Sequence, residues 1–320
     1  MNDVQFTGQR PIVGVGHHFV VYASPFGKSD DVPTRVSRIG GEVYCIKSPN
    51  TERSCGDKSF RDEYYQTVLQ ELQVLSHPDL MNHENIIGLL GLDFQEDYDD
   101  NTLCWPSLLL EYSMYGTLDS FQADMNGLSP DLARNLLCDI ATGLQALHRC
   151  NIIHGDVKSE NVLVCGHPGR QYVAKLSDFG LAVVNPSPTE SHYLPGCTWL
   201  WSAPEILQPL TVDGLKFTDI YSFGLTAWRV LLSRDDPFSS VLTMPCNTPD
   251  YRLAIQQIKT SSQFPQLVFE TMADHCEGYV VELISATLAL NPNDRNLERV
   301  LQALSGNYDH SLKYGCCIYL

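Results

Sequence analysis

The stretch His154-Gly155-Asp156-Val157-Lys158-Ser159-Glu160-Asn161-Val162-Leu163, followed by Asp178-Phe179-Gly180, decides the fold. It gathers the carboxylates of Asp156 and Asp178, a lysine and an asparagine amide within a short span of chain. Carboxylate and amide oxygens are hard donors that suit Mg²⁺, a cation commonly bound together with substrate phosphates. Phosphoryl transfer asks a protein for positioning and charge neutralisation more than for covalent chemistry. A lone Asp-Phe-Gly arises easily by chance, so the weight lies in the ordered set.

Further signals flank this stretch in both directions. Downstream stands Ala203-Pro204-Glu205. Upstream, PIVGVG and HFVVYASPF (11–25) read as two strands around a glycine turn, carrying Gly14-Val15-Gly16-His17-His18-Phe19-Val20-Val21. After a polar loop at 26–41, VYCIKS (43–48) is a further strand, with Lys47 near its end. From Ser59 to Leu75 the period becomes helical, with Phe60, Tyr64, Val68, Leu72 and Leu75 on one face. Glu71 borders that apolar stripe, whereas Glu63 falls on the polar side. Ser129-Pro130 starts a helix, a capping hydroxyl followed by proline in the first turn, and an apolar repeat runs on to His148. Two more apolar helices are predicted near Ile220–Leu232 and Leu297–Leu304, with a loop-rich insertion at 233–252.

These motifs, in this order, closely resemble the signature of eukaryotic protein kinases over residues 9–305. The resemblance implies an α+β, two-lobed protein kinase fold: a small antiparallel sheet with one helix (about 9–112), then a larger, mainly helical lobe (about 113–305). Residues 1–8 and 306–320 would be terminal extensions. It implies ATP and Mg²⁺ as cofactors and serine or threonine hydroxyls of a protein as acceptor, with the chain after Thr198 as the platform for that protein.

The family's roles carry over residue by residue. Asp156 would orient the acceptor hydroxyl and take its proton, and Lys158 would hold the transferred phosphoryl. Asn161 and Asp178 would bind the metal. Lys47 would hold the α- and β-phosphates, with Glu71 as its ion-pair partner. Gly14, Val15 and Gly16 would cover the phosphates. Val21, Cys45, Leu110 and Leu163 would line the adenine pocket, and the backbone of Glu111 and Ser113 would bond adenine. Lys158 and Thr198 resemble the serine/threonine class, whereas Asp219-Ile220-Tyr221-Ser222-Phe223-Gly224 and Gly116-Thr117-Leu118 look like its tyrosine-kinase-like branch. Glu205 and Arg295 would form a structural ion pair in the second lobe.

Composition fits a soluble globular chain: 43% of the 320 residues are apolar, and the formal charge of −17 disfavours a nucleic-acid partner. The 11 cysteines show no metal-ligand spacing, and MNDVQFTGQRP lacks the apolar core of a secretory signal, so reduced thiols and a cytoplasmic setting are expected. The tail ends Cys316-Cys317-Ile318-Tyr319-Leu320, where lipidation of Cys317 or Cys316 would give membrane attachment, although Tyr319 is not aliphatic.

Two positions depart from the family pattern. Phe19 replaces the third glycine of the phosphate loop, so a stiffer, bulkier tip is expected, with nucleotide affinity the quantity affected. Gly155 stands where the family usually has an arginine that pairs with a phosphate on the activation segment. No Lys or Arg occurs from Asp178 to Glu205, so phosphate on Ser187, Thr189, Ser191 or Tyr193 would find no cation within the segment. Activity independent of such phosphorylation is therefore expected. A pseudokinase scaffold remains an alternative, against which the complete set Lys47, Asp156, Asn161 and Asp178 argues. A small-molecule kinase of related fold would lack the combined Asp178-Phe179-Gly180 and Ala203-Pro204-Glu205 segment.

Overall fold

The computed structural model describes residues 12–15, 19–23, 37–39, 42–50, 58–96, 104–233, 236–246, 248–272 and 278–306. The loop tip with Gly16, the N-terminal stretch 1–8 and the tail with Cys316 and Cys317 lie outside the described residues.

The first lobe is built on an antiparallel sheet. Ile12–Val15 (β1) and Phe19–Ala23 (β2) form the expected hairpin, with Gly14 opposite Val21 and Val15 opposite Val20. Ser37–Ile39 (β3) pairs with the first residues of Glu42–Pro49 (β4), whose later residues pair with β2. Lys58–Leu75 (α1) follows, then Leu89–Glu96 (β5) and Cys104–Glu111 (β6). The main strand order is β1-β2-β4-β6-β5. Tyr64 shows why α1 docks here: the ring is fully buried, with its centroid 5.2 Å from Phe19 and 5.3 Å from Trp105. Its hydroxyl donates to the Pro106 carbonyl, so burial leaves no polar orphan.

The second lobe is mainly helical. Thr117 caps Leu118–Asp124 (α2). Ser129 Oγ accepts the Leu132 amide to start Pro130–Arg149 (α3), with Asp131 in its first turn and His148 and Arg149 in its last, both favourable to the helix dipole. Leu136, Leu137, Ile140, Leu144 and Leu147 on this helix are fully buried, each contributing about 1.5–3 kcal/mol relative to exposure. Two short pairings come next, built from Ile152–Ile153 (β7), Val162–Gly166 (β8), Tyr172–Leu176 (β9) and Val183–Val184 (β10), with β8 against β9 and β10 against β7.

Val212–Leu232 (α4) begins earlier than the predicted Ile220, because Thr211 caps the Gly214 amide and supplies a start that apolar periodicity does not mark. It is buried nearly all round and forms the lobe's central helix. Pro249–Lys259 (α5) begins inside the stretch read as loop-rich, where Thr248 caps Tyr251 and proline fills the first turn. Phe264–Thr271 (α6), Gly278–Thr287 (α7) and Leu297–Leu304 (α8) complete the lobe. Arg295 closes it as expected: its guanidinium bonds both Glu205 oxygens and the Ala289 and Phe217 carbonyls. The two-lobed α+β architecture expected from the sequence is present. No described helix is long and apolar enough to cross a membrane. Cys45, Cys138, Cys150, Cys165, Cys197 and Cys246 are free thiols.

Candidate active site

Antiparallel pairing gathers the chemistry. Val162 faces Leu176 across the β8–β9 hairpin, so Asn161, just before β8, and Asp178, just after β9, meet at one end. The Ser177 amide and hydroxyl both donate to the Asn161 carbonyl at 2.9 Å, which locks that end. In the same way, Ile153 faces Val183, so the loop from His154 runs beside the chain that follows Asp178.

Three residues far apart in sequence form the first cluster. Lys47 Nζ, on β4, lies 2.5 Å from Glu71 Oε1 on α1 and 2.8 Å from Asp178 Oδ1. Glu63, the rival carboxylate, is exposed and takes the Ser59 hydroxyl. Burial alone would lower the Lys47 pKa, but Asp178 and Glu71 more than offset it and hold the ammonium above its usual range. Burial pushes the Glu71 carboxyl up to about 7, with Lys47 pulling it back. Asp178, loss of solvent notwithstanding, is held below the usual carboxylate range by Lys47, assisted by His154 and Lys158. Asp178 also adopts φ 61°, the left-handed region, which aspartate tolerates better than most side chains.

The second cluster surrounds Asp156. Its Oδ1 accepts the Thr198 hydroxyl at 2.6 Å and the Thr198 amide at 3.2 Å. Its Oδ2 accepts Lys158 Nζ at 2.6 Å and Asn161 Nδ2 at 3.0 Å. Lys158 closes the ring by donating to Thr198 Oγ1 at 2.7 Å. The Asn161 amide nitrogen also donates to the Asp156 carbonyl, so its own oxygen remains as the donor for a cation. That oxygen and the Asp178 carboxylate make a hard-oxygen pair that fits Mg²⁺.

The residues assigned to adenine line the junction of the lobes. Cys45 pairs with Leu110 in the sheet, and Val21 with Lys47. Cys45 Sγ lies 3.8 Å from the Glu111 carbonyl, and burial pushes its thiol up to about 11, so it behaves as a small apolar wall. Glu111 is held by the Gly88 amide and Lys175 through its side chain. Ser113 Oγ donates to the Val164 carbonyl, and Leu163 bridges Thr117, which ties the connection to β8. The Val15 side chain points to solvent, 68% exposed.

Phe19 differs from expectation. Its ring is packed inward, 6% exposed, against Tyr64 and 4.1 Å beneath Lys47 Nζ. Its bulk therefore supports the lysine from the core. Gly155 has φ +80°, and a Cβ there would lie 2.5 Å from the Leu181 carbonyl. Glycine is thus what this backbone path requires. The packing contacts of three residues are not read from the sequence. Asp219 on α4 accepts the His154 and Gly155 amides at 2.8 and 2.9 Å, and His148 Nε2 at 2.8 Å, so it anchors the loop from below. Phe179 is fully buried, 5.1 Å from the His154 ring. Lys259 on α5 donates to the Trp199, Leu200 and Ser202 carbonyls.

The chain matches the family described as protein kinase domain over residues 26–305. It is 28% identical to an Aurora kinase of Candida glabrata over 221 residues, covering 66% of this chain and 58% of that protein. It is 31% identical to a mitogen-activated protein kinase kinase kinase of Drosophila melanogaster over 222 residues, 65% of this chain and 17% of that one. Against serine/threonine-protein kinase ULK1 of Homo sapiens identity is 28% over 293 residues, 90% of this chain and 24% of the relative. The chain thus spans less than two thirds of the length of these relatives. With the sheet, the helical lobe and both charged clusters in place, the chain belongs to the protein kinase domain family.

Proposed function

We propose that this chain is an ATP- and Mg²⁺-dependent protein kinase that phosphorylates serine or threonine hydroxyls, in the tyrosine-kinase-like branch. The observation that carries this reading is the joint assembly of Lys47–Glu71–Asp178 and Asp156–Lys158–Thr198. A scaffold without catalysis has no use for both. The three relatives are named as kinases, and that supports the same class of reaction.

In this reading Gly14, Val15 and Gly16 cover the phosphates, and Val21, Cys45, Leu110 and Leu163 enclose adenine, which bonds the backbone of Glu111 and Ser113. Lys47, braced by Glu71, grips the α- and β-phosphates. Mg²⁺, held by Asn161 and Asp178, supplies neutralisation of phosphate charge. Asp156, its orientation fixed by four donors, aligns the acceptor hydroxyl. The new P–O bond forms as the bond to ADP breaks, the hydroxyl proton passes to Asp156, and Lys158 steadies the phosphoryl oxygens.

Activity is proposed to need no activation-segment phosphate. The segment is already tied at several points: β10 pairs with β7, His192 and Leu210 exchange backbone bonds at 2.8 Å, and Thr198 holds Asp156. His192 Nε2 also bonds the Ser187 carbonyl at 2.8 Å.

The test is phosphate transfer from labelled ATP with Mg²⁺ to a generic protein acceptor, with phosphoamino-acid identification. Asp156→Asn is expected to lose about 10²–10⁴-fold in kcat while still binding ATP. Equal incorporation by both proteins would overturn the reading and favour the scaffold. Phosphotyrosine alone would overturn the serine/threonine assignment.

A further inference from the structure

Lys259 ends α5 and is 4% exposed. Tyr251, Ile255 and Lys259 recur every fourth residue and form the buried stripe of the helix. A lysine in such a stripe must find acceptors, because an ammonium removed from water without them is costly. Lys259 Nζ reaches three: the Trp199 carbonyl at 3.2 Å, Leu200 at 2.8 Å and Ser202 at 2.9 Å. An ammonium has three N–H donors, and all three are used. Among the described residues no carboxylate pairs with it, and the Phe238 ring, 5.3 Å away, covers another side. A second residue of α5 grips the same segment: the Arg252 guanidinium lies 5.0 Å over the Trp199 ring.

The three carbonyls belong to the turn that directly follows Thr198, whose hydroxyl and amide hold Asp156. They also lie in the stretch without Lys or Arg, where the catalytic loop offers Lys158 to Thr198 but has glycine at position 155. Lys259 therefore adds, to the β10–β7 pairing and the bonds of His192 and Thr198, a cation from outside the segment that binds its backbone.

We propose that Lys259 is a positioning residue for the protein substrate: its ammonium fixes turn 199–202 and so sets the acceptor platform against Asp156. This rests on the protein kinase reading above. The ammonium touches neither nucleotide cluster, so its loss is felt on the acceptor side. Burial draws its amine down to about 7, with Cys197 opposing the shift.

The test compares wild type with Lys259→Met, which keeps the length and removes the donors, and Lys259→Gln, which keeps two donors. Steady-state KM and kcat are measured separately for the protein acceptor and for ATP, and amide hydrogen exchange is followed at 199–202. In Lys259→Met the acceptor kcat/KM is expected to fall roughly ten- to hundredfold, the scale for losing bonds from a charged donor, with Lys259→Gln intermediate. KM for ATP should stay within about twofold, and amides 199–202 should exchange faster than those of α3. A merely structural lysine would lower melting temperature and yield and leave the acceptor KM unchanged. That result in either folded variant, or a parallel rise in KM for ATP, would overturn the proposal. If wild type transfers no phosphate to any protein, the kinase reading fails, and unaltered exchange at 199–202 in either variant would then overturn the Lys259 proposal by itself.

Discussion

Lys47 and Lys259 are both buried amines, 6% and 4% exposed, held by opposite chemistry. On the nucleotide side Lys47 sits between two carboxylates, which reinforce its charge against burial. On the acceptor side Lys259 sits among carbonyls, and burial prevails over its charge. Formal charges suit a site that must bind a polyanion together with a divalent cation, since they stay in place. Carbonyl dipoles suit a turn that must only be shaped. The difference separates a cluster built to receive phosphate from one built to hold backbone.

The comparison breaks most readily at Glu71. Glu71→Gln leaves Lys47 with Asp178 alone, so kcat/KM for ATP is expected to fall about ten- to hundredfold, the scale of a lost charge-assisted bond. Unchanged kinetics would mean that the Lys47–Asp178 pair suffices and the α1 carboxylate is dispensable. A smaller effect is expected at Gly155. Gly155→Ala forces an L side chain into φ +80° and against the Leu181 carbonyl. A loss of about 1–2 kcal/mol in denaturant stability follows from the backbone term, with the clash adding to it. Wild-type stability would show that the loop relaxes freely, and that the missing arginine there is incidental to the backbone path.

The nucleotide side is the part most legible in the sequence. Lys47, Asp156, Asn161 and Asp178 are polar types at fixed order among apolar neighbours, and strand pairing leaves little freedom in where they meet. Glu71 is legible as a carboxylate beside an apolar stripe, and the helical period alone sets Glu63 on the polar side. A ring replacing a glycine suggests a bulky tip, whereas the Phe19 ring itself packs into the core against Tyr64, a contact that only the docked α1 reveals. The anchoring role of Asp219 is not legible because α4 is buried nearly all round, and only tertiary packing places its carboxylate beneath the His154 and Gly155 amides. Lys259 leaves a faint trace, a lysine in register with Tyr251 and Ile255, but its acceptors are backbone atoms and carry no residue signature. Helix starts at Val212 and Pro249 depend on capping threonines, which periodicity does not register.

The smallest expected effect is also the most direct test of the central claim, a protein kinase whose activation segment is ordered without a phosphate. The variant carrying alanine at Ser187, Thr189, Ser191 and Tyr193 together is assayed with Mg²⁺-ATP and a protein acceptor beside wild type and Asp156→Asn. The account predicts kcat/KM within about twofold of wild type, as for surface substitutions away from structural features. Loss to the level of Asp156→Asn would contradict it.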